Sequence, residues 1–169
     1  EVRLARADRG PKYFQPAEVR AMIDGANPTL LAMIMLGINA GFNERDCSLL
    51  TTDYIDLAGG WIAFRREKTG EQRKAKLWPE TVDAIKAVLG KKTRPRAPVH
   101  AKLVFVNRTG GTYERVHSRG KIGSHCPVVT MTNRLLVKLG IKRTGLCFGA
   151  LRHTFRTEAG RCRDRIAQI

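Results

Sequence analysis

From Leu30 to Ile38 every residue but Gly37 is apolar, and Pro28 stands two places ahead of the run. Proline suits the first turn of a helix, and at about 100° per residue such a run spreads apolar side chains around the whole circumference. A helix of that kind has no solvent face, so other elements must cover it on all sides. With 169 residues the chain is long enough to do this as one domain. The run falls far short of the roughly 20 residues that cross a bilayer, and no charged-then-apolar leader opens the chain. A soluble, cytoplasmic protein with no membrane partner is expected.

Shorter signals place the covering elements. Residues 1–12 are polar and basic and read as a linker, which leaves 13–169 as the domain. Pro16 and Glu18 mark a helix start, Val19, Met22 and Ile23 share one face, and Gly25 ends it. Gly41-Phe42 breaks the central helix, and Asn43 to Leu50 reads as a short third one. From Tyr54 the period changes to two. Tyr54 to Leu57, Trp61 to Phe64 and Lys74 to Leu77 are expected strands, separated by Ala58-Gly59-Gly60 and Thr69-Gly70. Further helices are expected from Pro79 to Gly90, Pro127 to Leu139, Ala150 to Ala159, and from Arg163 onward. The expected fold is α+β and predominantly α-helical, a helical bundle with a small three-stranded antiparallel sheet.

Charge narrows the function. Lys plus Arg number 31 against 15 Asp plus Glu, a net charge of +16. Residues 1–60 carry six basic and eight acidic residues, so the later part holds 25 and seven, and the excess is confined to it. A concentrated positive field attracts polyanions, and phosphate is the expected partner. Residues 91–125, with nine Lys/Arg against the single acid Glu114, read as an extended basic loop region holding one short apolar stretch, Leu103 to Val106. The cysteines at 47, 126, 147 and 162 include no C-x-x-C pair, so reduced thiols are expected, with no metal or cofactor.

Two places could carry chemistry. Lys68-Thr69-Gly70 sits in the turn of a hairpin whose arms bear Arg65, Arg66, Arg73, Lys74 and Lys76. A lysine there can meet a phosphate; equally, lysines on an edge block sheet-to-sheet pairing. In Leu151-Arg152-His153-Thr154-Phe155-Arg156, Arg152 and Arg156 share a helical face. The guanidinium fork suits phosphate because it donates two parallel hydrogen bonds and stays charged. His153 either donates to the same phosphate or hydrogen-bonds within the core.

The order of these pieces resembles the catalytic domain of tyrosine recombinases, the phage-integrase family, from about Phe14 to the last residue. The matching segments are Leu36-Gly37-Ile38-Asn39-Ala40-Gly41, Asp53-Tyr54-Ile55-Asp56-Leu57, Arg66-Glu67-Lys68-Thr69-Gly70 with Lys76-Leu77, and Leu151-Arg152-His153-Thr154-Phe155. The resemblance implies site-specific DNA breaking and rejoining through a 3′-phosphotyrosine, without metal or ATP. It makes Arg152 the second arginine of a phosphate clamp, Lys68 the acid that protonates the leaving 5′ oxygen, and His153 a helper. Double-stranded DNA is the implied partner, with self-association on DNA left open. Arg65, Arg66, Arg73, Lys74, Lys91, Lys92, Arg94, Arg96, Arg119, Lys121 and Arg156 are the expected DNA contacts.

Three departures bear on activity. Asn43 stands where the first clamp arginine should follow Gly41-Phe42, and the substitute, Arg45, points about 200° away around a helix. Gly149 stands where a histidine or lysine belongs, three before Arg152. The third histidine or tryptophan and the nucleophilic tyrosine should follow the arginine-bearing helix, yet the 16 residues after His153 include no tyrosine. As it stands the chain is expected not to cleave DNA, being cut before its nucleophile or a non-catalytic DNA-binding remnant. An RNA-binding basic protein fits poorly, because Phe105 and Tyr113 are the only aromatics among the basic residues of 91–125.

Overall fold

A computed structural model describes residues 12–65, 70, 72–114 and 126–161. The chain forms α1 (Pro16–Gly25), α2 (Pro28–Ala40), α3 (Glu44–Leu49), a 3-10 turn at Thr52–Tyr54, β1 (Ile55–Asp56), β2 (Trp61–Arg65) and β3 (Gln72–Lys76). After these come α4 (Pro79–Gly90), a 3-10 turn at Pro98–His100, α5 (Pro127–Lys138) and α6 (Ala150–Arg161). The helix expected from Arg163 and most of the 1–12 linker lie outside the described residues.

The apolar helix is the hub. Asn27 caps α2 by accepting a hydrogen bond from the Leu30 amide at 3.0 Å, which satisfies one of the donors a helix start leaves open. At the other end Gly41 takes the left-handed conformation, φ 66°, that stops a helix without steric cost. Between the caps Leu30, Ala32, Met33, Ile34, Met35 and Leu36 are all buried. α4 and α6 pack most extensively against α2, with α1, α3, α5 and β3 completing the cover. Contact with α6 is close because Gly37 has no side chain; a Cβ there would lie 3.0 Å from Leu151 Cβ.

The sheet is antiparallel in the order β1-β2-β3, with Ile55 opposite Ile62, Trp61 opposite Lys76, Ala63 opposite Lys74 and Arg65 opposite Gln72. Alternation sends Ile62 and Phe64 inward, and Phe64 packs on Phe42 with ring centroids 4.2 Å apart. Buried Asn39 fastens the sheet to the helices. Its amide donates to the Lys76 carbonyl at 3.0 Å, and its oxygen accepts from the Trp78 amide at 2.8 Å and the Thr81 hydroxyl at 3.0 Å.

The segment after α4 is more than the extended basic loop expected. Its apolar stretch docks into the core: Leu103, Val104 and Phe105 are buried, as is Tyr113. The Val104 amide donates to Leu50 and the Thr52 amide to Lys102, an antiparallel bridge that holds the segment against the end of α3. Asn107 folds the following turn, its oxygen accepting from the amides of Thr109 and Gly111. Buried apolar contacts and these bonds offset the entropy of ordering a basic stretch.

Candidate functional site

Arg45 lies on α3 and Arg152 approaches that helix at Asp46, and short-range bonding explains how α3 starts. Asn43 accepts hydrogen bonds from the amides of Arg45 and Asp46 at 2.9 and 2.8 Å, while Asp46 Oδ2 accepts from the Asn43 amide at 3.0 Å. This reciprocal capping box starts the short helix and fixes the direction of Asp46. Asn43 is therefore occupied as a cap, in the position where an arginine was expected.

Arg152 enters from the first turn of α6. Its Nη1 lies 3.9 Å from Asp46 Oδ2, and the two side chains are only 16% and 14% exposed. Arg45 Nε lies 3.0 Å from Glu114 Oε1. That oxygen is buried. The two guanidinium groups differ in exposure, 16% for Arg152 and 43% for Arg45, and each lies beside a carboxylate. Burial strengthens such charge contacts relative to water. Gly149 leaves room nearby, since a Cβ would make ordinary contacts at 3.7 Å with Glu44 Oε2 and 3.8 Å with Cys147 Sγ.

His153 is exposed, which removes the reading of it as a core histidine. Its neighbour Thr154 is the buried polar group of α6, accepting from the Phe14 amide at 2.9 Å and donating to the Ala150 carbonyl. Arg156 is exposed. Arg65 is exposed too, but its Nε donates to the Gly70 carbonyl at 2.9 Å. Lys74 is exposed on the outer sheet face, whereas Arg73, opposite Phe64, lies half-buried on the inner one. Lys91 and Lys92 line a cleft of roughly 340 Å³ with Thr29, Val88, Tyr113 and Met131, and Lys92 Nζ donates to the Ala101 carbonyl. Arg94 and Arg96 are exposed in the turn that follows α4. Lys68, Arg66, Arg119 and Lys121 lie outside the described residues.

Sequence reasoning passed over Asp46 and Glu114. The Asn43-to-Asp46 spacing is the signal for the first, as a capping box. Glu114 was visible as the lone acid of a basic segment, but nothing in the sequence paired it with Arg45.

No family model matches the chain, and no curated protein sequence does. Solved structures do. XerA recombinase superposes with a TM-score of 0.69 at 21% identity, over 94% of this chain and 55% of its own. The Tn1549 transposon integrase in complex with circular intermediate DNA gives 0.69 at 18%, over 95% and 59%. XerH site-specific recombinase bound to its difH substrate in a pre-cleavage complex gives 0.71 at 16%, over 94% and 46%. At these identities the likeness establishes the fold, that of the tyrosine-recombinase catalytic domain. The chain spans about half the length of the solved recombinases it matches.

Proposed function

We propose that this chain is the DNA-binding part of a tyrosine recombinase catalytic domain, residues 13–169, which holds duplex DNA by its phosphates and orients one of them at Arg152. The observation that carries this reading is the coincidence of fold and residue. A chain with the recombinase fold over 94% of its length carries Leu151-Arg152-His153-Thr154 on the helix packed against the centre of the core. A fixed, half-buried arginine stabilises charge developing on a phosphate without reorganising. Lys68 on the hairpin would protonate the leaving 5′ oxygen, and exposed His153 would donate to the same phosphate.

The three tyrosines give no support for a nucleophile in this chain. Tyr113 is buried, and burial pushes its phenol pKa up, away from the attacking phenolate. Tyr54 sits in the turn before β1, and Tyr13 precedes α1. A second reading, a DNA-binding domain without strand cleavage, is favoured by two observations: Asn43 is committed to capping α3, and Arg45 lies against Glu114.

Arg152→Ala and Arg152→Lys test the role. With equal folding confirmed by thermal unfolding, Arg152→Ala should weaken binding to duplex DNA by about tenfold, the scale of one charged hydrogen-bond pair. Arg152→Lys should recover only part, because an ammonium cannot make the two-pronged contact. Wild-type affinity in Arg152→Ala would remove Arg152 from the interface.

A further inference from the structure

The pleat divides the cations of the hairpin into two sets, and one set is organised by a tryptophan. Trp61, Ala63 and Arg65 on β2 and Gln72, Lys74 and Lys76 on β3 are all exposed and share the outer face of the sheet. Trp61 keeps 38% of its surface open to solvent. Lys74 Nζ lies 4.6 Å and Lys76 Nζ 5.1 Å from the centre of its ring. Lys76 also donates to the Gly59 carbonyl at 2.6 Å, and Asp56 fixes that turn by accepting from the amides of Ala58 and Gly59.

Two ammonium groups drawn to one indole repel each other. The ring's negative face offsets part of that repulsion, and a nearby anion would offset more. Lysines ordinarily lose considerable rotamer freedom on binding a phosphate; here ring and carbonyl have already removed much of it. The inner face of the same sheet is closed by Ile62 and Phe64, so this outer face looks away from the core.

We propose that Trp61, Lys74 and Lys76 form a preorganised contact for the sugar-phosphate backbone of duplex DNA, separate from the arginine centre, with Trp61 acting as the positioning residue. The inference rests on the DNA-binding reading and adds to it a residue that carries no charge. Charge complementarity selects the backbone as occupant. Two ammonium groups over the indole favour a phosphate there over a stacked base.

Binding of the whole chain to duplex and to single-stranded DNA, measured across salt concentrations, tests the site. Lys74→Gln/Lys76→Gln should reduce the magnitude of the log–log salt slope by one to two, at about 0.9 per phosphate contact. Trp61→Ala removes no charge, yet should weaken duplex binding about threefold to tenfold, with Trp61→Phe recovering part of the loss. Thermal unfolding of each variant separates this from misfolding, and the lysine pair reports independently should Trp61→Ala fail to fold. Duplex affinity and slope unchanged in the folded variants, while the wild type binds, would overturn this site alone. A loss confined to single-stranded DNA would overturn it in favour of base stacking. Absence of duplex binding by the wild type would overturn the DNA-binding reading itself.

Discussion

Asn43 and Arg45 are two residues apart and have opposite fates. Asn43 caps α3 from a half-buried position, while Arg45 lies against the buried carboxylate of Glu114. Asn43→Ala should therefore cost about 1 kcal/mol of stability, the usual value of a helix cap, and leave DNA affinity as it was. Arg45→Ala should lower duplex affinity and also lower the melting temperature, because it leaves the buried Glu114 carboxylate without its counter-charge. Titrations and melts of both variants check this, and the reverse pattern of affinities would contradict it. The missing arginine at 43 could be read from the sequence. What replaced it was signalled only by the Asn43-to-Asp46 spacing, and the cap itself depends on the φ and ψ of Asn43.

A second residue-scale prediction concerns acid. Glu18 accepts hydrogen bonds from the Arg143 guanidinium and from the Gln15 amide, at 2.8 Å for the latter. The Arg143 bond holds its carboxyl below the ordinary value of 4.5, against the opposing effect of burial. A carboxyl whose folded pKa lies below its unfolded one contributes stability above the unfolded value and loses it as pH falls through the folded one. Melting temperature should drop as pH falls below about 4.5, where an unfolded glutamate takes up its proton. In Glu18→Gln that drop should be shallower. Parallel curves for the two proteins would show that the pair does not govern the acid limb.

Among elements, α2 decides the architecture, and it was legible because nine residues without a polar side chain allow one solution. The strands were legible to within two residues at either end for the same kind of reason, a period of two between glycine turns. The apolar stretch inside the basic segment was visible as Leu103 to Val106. That it pairs with Leu50 and Thr52 was not, because a contact across some fifty residues leaves no local signature. Asn39 shows the cost hidden in such long-range bonds. Asn39→Ala would strand the Lys76 carbonyl, the Trp78 amide and the Thr81 hydroxyl in or near the core, at about 2–3 kcal/mol. Chemical denaturation should show that loss without a change in the denaturant slope. A loss under half a kcal/mol, within the scatter of surface substitutions, would mean that water serves these groups as well.

At the scale of the molecule, the −2 and +18 halves of the charge are joined by the fold. α1, α2 and α3, from the acidic half, supply the central core helix and the carboxylate of Asp46, while the sheet, the segment after α4, and α6 supply the cations. The sequence showed where charge accumulates along the chain; the pleat and the capping box determine which cations face outward and which are already paired. Arg73 and Lys74 are neighbours in sequence with the same formal charge, yet only Lys74 lies on the exposed face. This cationic surface is proposed to bind duplex DNA through its phosphates. The salt dependence of wild-type binding to duplex DNA measures that directly. Four or more phosphate contacts predict a log–log slope of magnitude about 4 or greater. A slope near zero, or no binding at low salt, would contradict the account.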